Sequence, residues 1–255
     1  MSGGLLLDCD GVLSDTELDG HLAAFNLAFA ELGYGFRWSR EVYAELLRVG
    51  GGKERLRRYF ADHPEIAFAG GADLDAAVLA LHRRKSEIYV EIAESGRLPG
   101  RPGVKRLVEE ALDAGWTVAV ASTSAPESVE AVLRTVVGSE TRARMAGVFA
   151  GDAVEAKKPA PDIYLLALSE LGLEPAQTVV IEDSDVGAAA AAAAGLAHLV
   201  TVSSFTTEEV FPEASAVVTD LGEPGAPARL LRGGIELEDG LVTLSGLAAL
   251  RGSRA

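Results

Sequence analysis

The chain has 255 residues, 48% of them hydrophobic and 24% charged, which is the composition of a folded protein and excludes a disordered one. A formal net charge of −15 makes a broad acidic surface that repels phosphodiester backbones, so nucleic acid is not an expected partner. No stretch approaches the roughly 20 uninterrupted apolar residues needed to span a bilayer, and the opening MSGGLLLDCDG has no basic n-region, so neither a membrane nor a secretory signal is expected.

Leu5-Leu6-Leu7 is a short apolar run that suits a strand buried on both faces. The period then changes: Leu18, Leu22, Phe25, Phe29 and Leu32 form one helical stripe, which Gly33 can close. Helical patterns follow over Ser39–Arg48, Lys53–Asp62 and Asp73–Glu94; in the last, Val78, Leu81, Ile88 and Ile92 share a stripe on which Lys85 is the polar exception. After Arg101-Pro102-Gly103, helix and strand alternate. A helix ending at Gly115 precedes a strand at 116–121, a helix at 126–137 and a short strand at 148–150. Then come a helix at 161–171, a strand at 178–181, an alanine-rich helix at 185–194 and strands at 198–202 and 216–218.

Repeated βα units imply a parallel sheet covered on both faces by helices. The expected architecture is therefore α/β: a core of residues 1–14 and 98–224, with an all-helical cap of residues 15–97 inserted after the first strand. In the tail, 225–255, the segment Ile235–Leu244 alternates around Asp239-Gly240, which predicts a hairpin.

Charge is uneven along this frame. The acidic excess falls almost wholly after residue 106, and no Lys or Arg occurs between Pro159 and Ala228. A bound anion is therefore to be met by the early basic cluster or by a metal ion.

Four strand ends carry groups that could do chemistry. Asp8 and Asp10 leave the first strand two residues apart and point the same way, near the edge where α/β folds bind ligands. Two carboxylates that close stay ionised together beside a cation; the plain alternative is a turn that uses Asp and Gly. Ser122, Thr123 and Ser124 end the second core strand, and hydroxyls with free N–H groups before a helix can cradle phosphate. Ser124 also reads as an N-cap for the helix at Pro126. Lys157-Lys158 follows the third strand, where an exposed pair is the dull reading. Glu182-Asp183 ends the fourth, and with Asp8 and Asp10 offers a hard cation such as Mg²⁺ oxygen ligands.

In order, type and spacing, DCDGVL, the hydroxyl-ended strand, KKPAPD and EDS resemble the motifs of the haloacid dehalogenase superfamily of phosphohydrolases over about residues 4–220. The insert resembles that superfamily's small α-helical cap on a Rossmann-like core. Asp15 to His21, Gly50 to Arg55 and Arg101-Pro102-Gly103 further resemble the CbbY group, sugar-bisphosphate phosphatases that remove the Rubisco inhibitor xylulose-1,5-bisphosphate.

The resemblance implies Asp8 as nucleophile and Asp10 as general acid and base, ligating metal through its backbone carbonyl. It further implies Ser122, Thr123 and Lys158 on the phosphoryl group, and Mg²⁺ held by Asp8, Asp10, Glu182 and Asp183. Substrate choice falls to the cap and rim: Glu17 and His21, four apart on one helix edge, with Gly52, Lys53, Lys85, Arg101 and Ser124. Among the cations Lys53 stands first for a second phosphate, with Arg101 and Lys85 behind it, while Arg57, Arg58, Arg83 and Arg84 read as solvated. Cys9 and Asp15 read as structural, Asp15 as a cap of the first cap helix. The expected partner is a small sugar phosphate acted on by a monomer. One cysteine suits a reducing compartment, the cytoplasm or a plastid stroma. The nearest rival is a sugar-phosphate mutase of the β-phosphoglucomutase kind, which shares every motif; phosphatases of other small esters follow.

Overall fold

In the computed structural model residues 3–251 are described. Within them the chain forms one seven-stranded sheet in the order β3-β2-β1-β4-β5-β6-β7, formed by β1 (Gly4–Leu7), β2 (Thr117–Ser122), β3 (Gly147–Ala150), β4 (Thr178–Glu182), β5 (Ala197–Thr201), β6 (Ala216–Val218) and β7 (Leu230–Gly233). Neighbours are parallel except β7, which runs antiparallel to β6. The chain starts at β1, moves outward through β2 and β3, and returns to the other side of β1 at β4. The C-terminal ends of β1 and β4 therefore flank the switch point where such sheets bind ligands.

Alternation along each strand splits the interior. Leu5, Leu7, Val118, Val120, Val179 and Ile181 enter the core shared with α5 (Val104–Asp113) and α6 (Pro126–Val136). Leu6, Ala119, Ala121 and Val180 face α8 (Asp162–Leu171) and α9 (Asp185–Ala193). The alanines of α9 let that helix lie close to the sheet.

Between β1 and β2 the chain inserts a π-helical turn (Glu17–Leu22) and helices α1 (Ala23–Glu31), α2 (Arg40–Leu47), α3 (Gly52–Asp62) and α4 (Leu74–Glu94). Ser39 and Asp73 cap α2 and α4 with their side chains. Aromatic rings fill the centre: Phe25 and Phe29 lie 4.7 Å and 4.9 Å from Trp38, whose backbone is held at N and O by the Asn26 amide. The π turn breaks the predicted stripe. Adding one residue per turn rotates Leu18 to the outside, where it is 36% exposed, while Phe25 and Phe29 stay buried.

The tail departs from its prediction. β7 extends the sheet edge, α10 (Leu244–Leu250) was not foreseen, and its Leu247 and Leu250 join the main core; outside the tail, α7 (Ser139–Arg144) was not foreseen either. Asp239 and Gly240 do form the expected turn, with φ of 52° and 78°. Pairing stops at Glu238–Leu241, because Ala228 N–H bonds to Gly240 O and Val242 N–H to Leu221 O, while Thr243 caps α10. Among the described residues no helix is long and apolar enough to cross a membrane.

Candidate active site

The loops leaving β1, β2, β3, β4 and β5 converge beneath the cap. Asp8, the first residue past β1, is buried, as are Glu182 at the end of β4, Asp183 after it, and Lys158 on the loop before α8. The Lys158 ammonium donates to Asp8 Oδ1 at 2.6 Å, to Glu182 Oε1 at 2.6 Å and to the Ala121 carbonyl at 2.9 Å. One carboxylate oxygen each of Asp8, Glu182 and Asp183 lies within 4.8 Å of the other two.

Burial pushes the Asp8 carboxyl up to about 7 against the attraction of Lys158, with Glu182 and Asp10 adding to the rise. Burial also pushes Asp183 well above the usual carboxylate range, helped by Asp8 and Glu182. One buried ammonium thus faces three buried carboxyl groups. That deficit of positive charge, on an all-oxygen donor set, is what a divalent hard cation corrects, so these residues fit one.

Gly11 is part of this geometry. Its φ is +79°, and a Cβ on it would lie 1.9 Å from Asp183 Oδ2. Gly11→Ala is expected to displace Asp183, raising the metal concentration needed for half-maximal activity about 10- to 100-fold; a metal titration identical to that of the parent would contradict this placement.

Asp10 faces the other way, toward the cap. Its Oδ1 accepts from Thr16 Oγ1 at 2.6 Å and bonds His21 Nε2 at 2.8 Å, and its Oδ2 accepts from Ser124 Oγ. Burial alone would raise its pKa; His21, Ser124 and Thr16 outweigh it and hold Asp10 well below the usual carboxylate range. His21 stacks on Tyr89 with centroids 4.0 Å apart, and its Nδ1 lies 2.7 Å from Lys85 Nζ. Burial pulls the Lys85 amine down to about 8, against the raising effect of Asp10 and Glu17. It therefore keeps its proton at neutral pH and donates to Nδ1, which puts the ring proton on Nε2, the nitrogen facing Asp10. Glu17 is buried beside them and accepts from the Tyr43 hydroxyl at 2.5 Å.

Both acidic groups line one cavity, which also takes in Gly50 to Gly52, Arg55, Thr123 and Phe205. The cap is docked over it: a Cβ on Gly50 would lie 2.5 Å from the Lys158 carbonyl, and Arg40 stacks 4.4 Å from the Phe205 centroid.

Asp8, Asp10, Glu17, His21, Gly52, Lys85, Thr123, Ser124, Lys158, Glu182 and Asp183 all line this cavity. Three of the predicted residues are placed otherwise. Ser122 is buried behind the loop, where its Oγ accepts from Ser124 N–H at 3.2 Å. Lys53 pairs with Asp152 and lines a neighbouring crevice, because the first turn of α3 aims its long side chain across to the loop after β3. Arg101 lies outside the cavity lining, and its guanidinium donates to the carbonyls of Gly11, Thr201, Val202 and Thr219. Of the cap cations, Lys85 and Arg55 thus line the cavity and Lys53 the crevice beside it. Two expected caps also fail. Ser124 bonds Asp10 instead of capping α6, and Asp15 accepts from Ser204 N–H and Oγ. Arg57, Arg58 and Arg84 do sit in exposed ion pairs.

Arg55 ends the Gly50 to Arg55 match, whereas Tyr43 and Tyr89 gave no signal in spacing. The loop after β5, with Ser203 and Phe205, did carry one, since it leaves a fifth strand end at the same rim.

A fold with its donors gathered at this switch point defines a class. Residues 4–195 match the family model of the haloacid dehalogenase-like hydrolases, and the chain belongs to that family, as a phosphatase. Within it the chain belongs to the CbbY-like group. It is 45% identical over 226 residues to a CBBY-like protein of Arabidopsis thaliana, covering 88% of this chain and 70% of that one. Against a CbbY of Cupriavidus necator it is 42% identical over 225 residues, 88% of this chain and 87% of the relative. The solved structure of a CbbY mutant from Rhodobacter sphaeroides in complex with xylulose-(1,5)bisphosphate is 38% identical, with a TM-score of 0.82 over 97% of this chain and 99% of that one. A β-phosphoglucomutase of Clostridium difficile shares the fold at 20% identity and a TM-score of 0.69, over 86% of this chain and 91% of that one.

Proposed function

We propose that the chain is a Mg²⁺-dependent phosphatase that converts xylulose-1,5-bisphosphate to xylulose 5-phosphate by way of an aspartyl-phosphate. The observation that carries this reading is one cavity lined both by Asp8 and Lys158 of the core and by the cap cations Lys85 and Arg55. One phosphate is met by Lys158 beside Asp8, and the cap cations supply positive charge for another. The bisphosphate bound by the Rhodobacter sphaeroides relative supports the same reading.

Asp8 is the nucleophile. Its carboxylate attacks phosphorus, the bond to the sugar oxygen breaks, and that oxygen takes a proton from Asp10. The donors around Asp10 favour its carboxylate form in the free protein, so the proton that it passes to the leaving oxygen has to arrive with the substrate, as the phosphate monoanion. Asp10 then withdraws a proton from the water that attacks the aspartyl-phosphate, releasing phosphate and restoring Asp8. Lys158 neutralises the transferring oxygens, and Thr123 and Ser124 line the same pocket. Asp8, Glu182, Asp183 and the Asp10 carbonyl would hold Mg²⁺, which when bound supplies further neutralisation of the phosphoryl oxygens. Glu17, His21 and Gly52 face the sugar. A cytoplasmic setting belongs to the same reading, and the buried free thiol of Cys9 agrees with it.

The test is phosphate release from paired sugar mono- and bisphosphates. The bisphosphate is expected to have a kcat/KM at least about 10-fold higher, one charged contact's worth. Lys85→Met should erase that preference, and Lys53→Ala should change it by less than about 3-fold, the range of an exposed ion pair. Equal rates on one- and two-phosphate sugars would remove the distal anion site. Glucose 6-phosphate formed from β-glucose 1-phosphate with trace glucose-1,6-bisphosphate, without free phosphate, would establish the mutase instead.

A further inference from the structure

We propose that Tyr164 is a positioning residue for phosphoryl transfer: acting through the Glu182 carboxylate, it fixes the Lys158 ammonium against Asp8. Tyr164 lies in the first turn of α8 and is fully buried, with its hydroxyl donating to Glu182 Oε1. The same oxygen accepts from Lys158 Nζ at 2.6 Å, and that nitrogen lies 4.9 Å from the centroid of the Tyr164 ring. Tyr164 therefore touches the lysine with its ring and the lysine's partner with its hydroxyl.

Lys158 is a long, flexible side chain located by three acceptors. The Ala121 carbonyl belongs to β2 and is rigid. Asp8 is the group that reacts, so its carboxylate cannot also be the fixed reference. Glu182 is the remaining anchor, and it holds the ammonium only as firmly as it is held itself. Its carboxylate has a donor at each oxygen and a close neighbour behind it. Oε1 receives Tyr164 and Lys158, Oε2 accepts the Asp183 N–H at 3.2 Å, and a Cβ on Gly187 would come within 2.1 Å of it. Gly187, in the first turn of α9, leaves the space into which the carboxylate fits.

Packing does not account for the hydroxyl. The Tyr164 ring sits among Leu6, Ala119, Ala167 and other apolar residues of the α8–α9 face, where phenylalanine fits equally well. A buried O–H is tolerated only with a partner, and this one's partner is the charged anchor of the lysine. With the hydroxyl removed, Oε1 keeps a single donor and the carboxylate gains freedom to turn, taking the ammonium with it.

The inference rests on the phosphatase reading but not on the identity of the sugar, so p-nitrophenyl phosphate serves as substrate. Tyr164→Phe is expected to lower kcat about 10-fold, the scale of lost outer-sphere support, with KM within about 2-fold and an unchanged melting temperature. In a Glu182→Gln background the same substitution should cost less than about 2-fold, because the two act on one point. Gly187→Ala, which presses the carboxylate from the other side, should also lower kcat. A parent-like kcat in Tyr164→Phe, or a loss that persists in full with Glu182→Gln, overturns the proposal; if Tyr164→Phe does not fold, a parent-like kcat in Gly187→Ala does. Failure of the parent protein to hydrolyse any phosphate ester would instead overturn the phosphatase reading.

Discussion

Asp8→Asn is expected to abolish phosphate release, by more than about 10³-fold, yet in the presence of a chelator to melt no lower than the parent and, at neutral pH, higher. The loss of activity follows because an amide is neither a nucleophile nor a ligand for a hard cation. The gain in stability follows from the electrostatics. Burial raises the folded-state pKa of Asp8 to about 7 from an ordinary value of 3.8, with Lys158 opposing and Glu182 and Asp10 assisting. A raised carboxyl pKa means that the folded protein holds the proton more tightly than the unfolded chain. Below about 4 both states are protonated and Asp8 costs nothing. Between about 4 and 7 the unfolded chain ionises while the folded one resists, so stability falls, and above 7 the cost is constant. Asparagine never ionises, so its advantage over the parent should open between pH 4 and 7 and persist above. Melting curves in chelator at pH 4.5 and 8 read the effect directly. A variant less stable than the parent at pH 8 would show that Asp8 is stabilised by Lys158 more than it is penalised by burial.

Much of this arrangement was legible in the sequence, for a physical reason. A parallel strand buried on both faces writes itself as an apolar run, and the residue that ends the run lies at the sheet edge where ligands bind. Leu5 to Leu7 fix Asp8, Val118 to Ala121 lead to the hydroxyl loop, and Val179 to Ile181 fix Glu182 and Asp183. What lacks an apolar signature was missed. β7 is exposed along its length, α7 is polar apart from one alanine, and α10 begins inside a segment that alternates like a strand. Leu18 was misplaced because a π turn changes the period without changing the composition.

The cap was less readable than the core because long cationic side chains carry no direction in their spacing. Lys53 reaches a partner 99 residues away and Arg101 reaches carbonyls up to 118 residues on, and neither choice is written locally. Lys85 is the instructive exception. A charge on an otherwise apolar stripe is a charge the fold must bury, and it proves to be the cation facing His21 inside the cavity. Tyr43, brought to Glu17 from a separate helix, had no such mark.

Lys158→Ala is expected to be as inactive as Asp8→Asn, with the opposite effect on stability. Its ammonium ion-pairs with Asp8 and Glu182 at 2.6 Å each, and it is 6% exposed. These acids hold its pKa well above the usual lysine value despite a burial penalty that acts the other way. Removing it leaves Asp8, Glu182 and Asp183 facing one another in a buried site, and breaking a buried pair from one side costs about 3–5 kcal/mol. For a chain of this size that corresponds to a melting point lower by roughly 10 °C. The two variants thus delete opposite ends of one ion pair, and only the deletion of the cation adds to the excess of negative charge. Divalent metal provides the decisive contrast. If the three carboxylates form its site, saturating Mg²⁺ should restore most of the melting temperature of Lys158→Ala while leaving its turnover below about one-thousandth of the parent's, because the lysine contact to the phosphoryl oxygens stays absent. Mg²⁺ should stabilise Asp8→Asn far less, since that variant has lost a ligand. A Lys158→Ala protein that melts like the parent in chelator, or that Mg²⁺ does not stabilise, would mean that the three acids do not share one unbalanced site.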